Sequence, residues 1–154
     1  MIVKYKKLIK EDVKGITLTK DRDSIKLFFD KNKSKFYEIE RDKGLLIKSN
    51  DKRGIWVGGK RYSGLINIKN LKNKILVVNI LGIEKYLTSV VGSEMPHKWP
   101  LEALKAQAIA SRTYALKKTG NDLYDIDSTQ KDQVYNGLES VSYTHLTLPT
   151  TPYV

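Results

Sequence analysis

Hydrophobic periodicity changes once along this chain, near residue 81, and that change limits the fold more than any other feature. Before it, apolar residues come in short runs at 15–18, 24–29, 35–39, 44–48, 54–62, 64–68 and 75–80. The runs are rich in β-branched and aromatic residues and are bounded by Lys, Asn, Asp and Gly, a pattern that suits antiparallel strands. Their spacing is that of a meander or small barrel, with a hairpin turn at Leu71-Lys72-Asn73-Lys74 and a glycine pair, Gly58-Gly59, breaking the fifth run. After it, Ile83, Leu87, Val90 and Val91 fall at i, i+4, i+7 and i+8, an apolar stripe on a helix that begins near Gly82.

Met95-Pro96 ends that helix, because the residue before a proline is pushed out of the α region. Pro100 suits the first position of a second helix that runs to about Lys118. Leu101, Leu104, Ala108 and Ala115 form its expected buried stripe, and Ala103, Ala106 and Ala110 allow close approach of a neighbour. Lys117 and Lys118 complement the negative end of the helix dipole, and Gly120 closes the helix. The expected fold class is therefore α+β: N-terminal antiparallel strands followed by two packed helices, a helix-turn-helix-like hairpin bearing Glu94, in an incomplete domain.

With 154 residues, 40% hydrophobic and 29% charged, the chain can bury one real core and is too short to expect two. It has no cysteine, which excludes disulfides and thiolate metal sites. Its net charge of +11 is uneven: residues 1–80 hold 21 Lys or Arg against 9 Asp or Glu, while residues 81–154 hold 7 against 8. Those lysines either solvate sheet surfaces or attract an anionic polymer such as nucleic acid, teichoic acid or a carboxylate-bearing glycan. No apolar run approaches the roughly 20 residues of a membrane span. The N-terminus lacks the apolar stretch of a signal peptide, so Met1 either opens a cytoplasmic protein or is not the start of the exported precursor.

Glu94 lies in the Pro-bounded turn, and the second helix carries Lys105, Gln107, Ser111 and Arg112. A lone acid beside helix-borne cations and amides suits acid/base chemistry. Lys105 and Arg112 are seven apart, about 20° from eclipsed, so they share a face. That face is either an ordinary solvated surface or one from which both cations reach a single ligand.

The segment from Glu84 to Ala115 resembles the family of stage II sporulation protein D and the amidase enhancers. The resemblance rests on Glu84, Tyr86, Leu87, Val90, Val91, Glu94, Met95, Pro96, Trp99, Pro100, residues 102–108, Ala110 and residues 112–115. A second match runs from Tyr124-Asp125 to Gln133-Val134-Tyr135-Asn136-Gly137, and Arg61-Tyr62-Ser63-Gly64 and Val78-Asn79 are similar to lead-in strands. Together these cover about residues 60–139. The family resemblance implies a lytic transglycosylase that cleaves the MurNAc-GlcNAc bond of peptide-free peptidoglycan strands, leaving a 1,6-anhydro end. Glu94 matches the catalytic acid, which must hold a proton before reaction; Met95, Pro96 and Trp99 are expected to supply its apolar wall. Lys105 and Arg112 match active-site positions, expected at the glycan rather than against the acid. Gln107, Ser111, Gln133 and Tyr135 can bond sugar hydroxyls, although Gln107 and Tyr135 serve equally well as buried structural partners.

Some relatives bind zinc through cysteines and a histidine before the Gln-Val-Tyr motif. This chain has Asp127, Lys131 and Asp132 there, and His97 and His145 form no cluster, so neither a metal nor another cofactor is expected. Family domains continue past this region, whereas residues 140–154 are threonine-rich, lack Asp, Glu, Lys and Arg, and resemble translated adapter sequence. The expected organisation is a partial domain at 1–139 and a non-native tail at 140–154. The resemblance further implies a place at the cell envelope, on the outer face of the cytoplasmic membrane, with membrane attachment only through an N-terminal anchor. Expected partners are peptidoglycan glycan strands and a cell-wall amidase, and a noncatalytic wall-binding amidase enhancer is the alternative reading. Nucleic acid is not an expected partner, because nothing resembles a recognition helix or a ribonucleoprotein motif.

Overall fold

A computed structural model describes residues 16–28, 36–49, 51, 53–72, 74–96 and 98–140. In chain order its elements are β1 (Thr17–Asp21), β2 (Ser24–Phe28), β3 (Phe36–Ile39), β4 (Gly44–Lys48), β5 (Ile55–Val57), β6 (Lys60–Tyr62), β7 (Leu65–Leu71), β8 (Lys74–Ile80), α1 (Ile83–Glu94), α2 (Leu101–Lys118) and a 3-10 turn (Gly137–Ser140). Antiparallel strands followed by two helices make the α+β class that the periodicity dictates. His97 and residues 141–154, with His145, lie outside the described residues.

The chain divides into two compact units, one from the described parts of Met1–Lys48 with Leu65–Ile80, the other from those of Ser49–Gly64 with Leu81–Val154. The first unit holds two antiparallel sheets. One is a meander, β1-β2-β3; in the other, β4 and β8 flank β7, and the β7–β8 ladder closes at the expected hairpin, Leu71 opposite Lys74. Ile25, Leu27, Ile39, Ile66 and Ile68 are buried in this unit. Asn70, fully buried, ties its sheets together: its amide nitrogen donates to the carbonyls of Asp23 and Ile39, both at 2.8 Å, and its oxygen accepts from Lys20.

In the second unit β5 and β6 form a hairpin turned by Gly58 and Gly59, with φ of 58° and 82°. Consecutive positive φ values are what a two-residue hairpin turn requires, and glycine adopts them without steric cost. The run read as one interrupted strand is thus two strands, and it leaves its sequence neighbours to join the helices.

α1 buries the expected stripe. Leu87, Val90 and Val91 are at most 2% exposed, and each such side chain contributes about 1.5–3 kcal/mol by leaving water. Leu87 and Val90 pack with Tyr86, Ala115 and Tyr135, while Val91 packs with Leu104 and Ala108, flanked by Met95. Two sequence expectations need correction here. Glu94 is the last residue of α1 rather than a turn residue, and Pro100 is the N-cap of α2 rather than its first helical position. The buried stripe of α2 is Leu104, Ala108, Ser111 and Ala115; Leu101 is 52% exposed, because the cover given by Val91 and Met95 stops at Leu104. Ala106 and Ala110 are exposed.

Candidate active site

Glu94 is gripped from two sides. Its Oε2 accepts a hydrogen bond from Gln107 Nε2 at 2.7 Å, and its Oε1 accepts one from the backbone N–H of Val134 at 3.0 Å. A carboxylate at a helix C-terminus faces the negative end of the helix dipole, so these donors offset an unfavourable position. Each oxygen keeps a second lone pair, and the residue is half-buried rather than sealed. Gln107 also donates to Ser111 Oγ at 3.3 Å, one helical turn further along α2. Ser111 is 1% exposed, so its hydroxyl fixes the Gln107 amide from inside the helix pair.

The segment that presents Val134 is fixed as well. Gln133, 6% exposed, accepts from the Tyr86 hydroxyl at 2.9 Å. Burial, and secondarily the charge of Glu94, pushes the Tyr86 phenol far above its ordinary range, so it stays a neutral donor. Tyr135 is 8% exposed, its ring 5.3 Å from that of Tyr86 and 5.9 Å from that of Tyr62. Burial likewise raises the Tyr135 phenol. Of the two roles open to Tyr135, its position among core rings matches the structural one.

One residue before Gln133, Asp132 gathers three donors. Its carboxylate accepts from the Tyr114 hydroxyl, from the Asp127 N–H at 2.8 Å and from Lys118 Nζ at 3.0 Å. The Tyr114 hydroxyl first, then the Asp127 N–H and Lys118, hold its carboxyl down at about 2. Asp127 in turn accepts from the N–H and hydroxyl of Thr129, which close a tight turn. The 127–132 stretch is thus a carboxylate-pinned loop. Among the described residues no group of three or more His, Cys, Asp or Glu is arranged to hold a metal ion.

The two cations of α2 lead to different carboxylates. Lys105 Nζ pairs with Glu102 at 2.7 Å, one turn back, with the Glu102 side chain 80% exposed. Arg112 makes a two-pronged bond to Glu84, Nε to Oε1 at 3.0 Å and Nη2 to Oε2 at 2.9 Å. Shared helical face notwithstanding, the structure does not bring the two cations to one point. Of the residues expected to wall the acid, Trp99 is 50% exposed and Met95 packs against the Val91 cluster. Gln107, Ser111 and the 133–135 segment do converge on Glu94.

Glu84, Tyr86, Asp132 and the Val134 N–H are the components missed by residue-level reading. Glu84 and Tyr86 stand in the quoted family pattern, which was the available clue. A backbone donor leaves no mark in a sequence.

Comparison with known proteins follows the same residues. An uncharacterised protein of Brachyspira hyodysenteriae (strain ATCC 49526 / WA1) is 41% identical over 104 residues, 65% of this chain and 28% of that protein. The amidase enhancer of Bacillus subtilis (strain 168) is 39% identical over 99 residues, 63% of this chain and 14% of the relative. Stage II sporulation protein D of the same organism is 40% identical over 65 residues, 38% of this chain and 19% of the relative. The matched part of the chain therefore spans less than a third of the length of each of these relatives, and no solved structure matches it. The profile described as stage II sporulation protein matches residues 71–150, a span that takes in α1, α2, Glu94 and the segment holding it. With more than half of its length in that match, the chain belongs to the stage II sporulation protein (SpoIID) family.

Proposed function

We propose that the protein is a lytic transglycosylase of the cell envelope that cuts peptide-free peptidoglycan strands with Glu94 as its single acid/base. The observation that carries this reading is the grip on Glu94: an acid aimed by neutral amides, with lone pairs to spare and no ion pair to it among the described residues. Glu94 gives its proton to the glycosidic oxygen between MurNAc and GlcNAc as that bond breaks. It then takes the proton of the muramic 6-hydroxyl, whose oxygen closes on the anomeric carbon to leave a 1,6-anhydro end. Proton and electron pair balance within the substrate and one carboxyl group.

A two-carboxylate hydrolase fits the geometry less well. Such pairs stand at most about 9.5 Å apart, whereas ten residues of helix place Glu84 about 15 Å from Glu94 along α1. Asp132 is nearer in sequence to the Val134 donor, yet its carboxylate is already committed to Tyr114, Asp127 and Lys118. Lys105 is a cation available to a lactyl carboxylate, because a surface pair with Glu102 is worth little and exchanges readily. Arg112, forked onto Glu84, orients α1 rather than the sugar. Gln107, Ser111, Gln133 and Tyr135 act through the position of Glu94.

Digestion of peptide-free glycan strands followed by mass spectrometry tests the reaction. Anhydro-muramic ends are expected from the native chain and not from Glu94→Gln; equal yield from the variant rejects the assigned acid. The amidase enhancer of B. subtilis, 39% identical, favours a second reading in which the protein binds wall glycan and stimulates an amidase. Faster amidase turnover with no anhydro product, and no effect of Glu94→Gln, would establish that reading instead.

A further inference from the structure

Trp56, in the β5–β6 hairpin, is the most exposed large apolar side chain among the described residues, at 65%. A single surface tryptophan is ordinary, but this one is built into place. The Arg61 guanidinium lies over one face of its ring, 5.5 Å from the centroid, and the two residues are cross-strand partners in the hairpin. Such a cation–π contact fixes the indole while leaving its other face in water.

The hairpin is also bolted to the segment that grips the acid. Lys60 Nζ donates to Asn136 Oδ1 at 2.7 Å. At Gly137 the backbone comes so close to β6 that an added Cβ would stand 2.2 Å from the Arg61 carbonyl oxygen. Val134, whose N–H holds Glu94, is two residues from Asn136, a stretch of at most about 7 Å. A rigid chain of contacts therefore links the Trp56 ring to Glu94 within the second unit.

We propose that the open face of Trp56, backed by Arg61, is a remote subsite on which a sugar of the glycan strand stacks. The proposal rests on the lytic transglycosylase reading and extends it to substrate recognition. The flat apolar ring suits the apolar face of a pyranose, and the positive charge of Arg61 beside it complements the lactyl carboxylates of a peptide-free strand. Because ring and hairpin are preorganised, little entropy is lost on binding, and contacts remote from the broken bond supply energy for distortion at the reacting centre.

The test measures binding of peptide-free glycan strands to the full chain by calorimetry, on a Glu94→Gln background that keeps the ligand intact. Trp56→Ala is expected to weaken binding at least about tenfold, the size typical of a truncated aromatic anchor. Trp56→Tyr, which keeps an aromatic face, is expected to recover most of it, and circular dichroism checks that both variants stay folded. Affinities of Trp56→Ala and its parent within about twofold, a difference below the usual effect of an interface anchor, would overturn the subsite, as would failure of the parent to bind. Anhydro-product release from the Glu94-intact chain is read separately. Product without any Trp56 dependence overturns the subsite alone, whereas Trp56-dependent binding without product overturns the reaction and supports the subsite.

Discussion

α1 carries one glutamate near each end, and the two are held in opposite ways. Glu84, in the first turn, is forked by the Arg112 guanidinium, and the positive end of the helix dipole adds to that attraction. Glu94, at the last position, meets the negative end of the dipole and among the described residues is held by an amide side chain and a backbone N–H. A carboxylate locked to a guanidinium is a structural tie, since its charge is what the partner needs. A carboxyl group that must release and regain a proton needs orientation without a permanent counter-charge, and neutral donors provide that. The same residue type on one helix is thus tied as a strut at one end and, in the proposed reaction, acts as the acid/base at the other.

Exchanging the two residues' chemistry should therefore have unequal effects. Glu94→Gln is expected to lower anhydro-product formation by about 10²–10⁴, the usual contribution of a general acid/base, whereas Glu84→Gln should leave it within a few-fold. Comparable losses from both would erase the distinction. Gln107→Ala comes next: the acid keeps its place in the chain but loses its aim, so kcat should fall about tenfold with KM little changed. A rise in KM alone would make Gln107 a sugar contact instead.

Stability sharpens the contrast from the other side. Breaking the Glu84–Arg112 fork, with the Arg112 side chain 20% and the Glu84 side chain 45% exposed, should cost about 1 kcal/mol in denaturant unfolding, and less at high salt. A cost independent of salt would mean that packing of the arginine stem carries the effect. The smallest expected change concerns acid. Asp132 has its carboxyl lowered from 3.8 to about 2 on folding, so its contribution is fully present above about pH 4 and is lost as pH falls toward 2. Asp132→Asn should flatten the unfolding midpoint over that window, and an unchanged acid limb would remove Asp132 from the loop's support.

Much of this was legible in the residues. The apolar spacing of Leu87, Val90 and Val91 and the proline after Met95 define α1, and the pattern around Glu94 marks the family to which the chain belongs. What escaped was non-local. Glu84 and Arg112 are far apart in sequence, so no periodicity joins them, and the face shared by Lys105 and Arg112 says nothing about which carboxylate each will meet. Leu101 looks buried from helical spacing alone because spacing cannot show where α1 stops covering α2. The β5–β6 hairpin reads as part of the strand-rich half, yet it packs on the 3-10 turn that begins at Gly137.

The most direct test of a one-carboxylate mechanism is to digest peptide-free glycan strands in ¹⁸O-labelled water and weigh the new ends. A lytic transglycosylase closes the anomeric carbon with the substrate's own 6-hydroxyl, so the ends should be anhydro-muramic and free of label, and they should vanish with Glu94→Gln. Reducing ends carrying ¹⁸O would show water as the nucleophile and contradict the account.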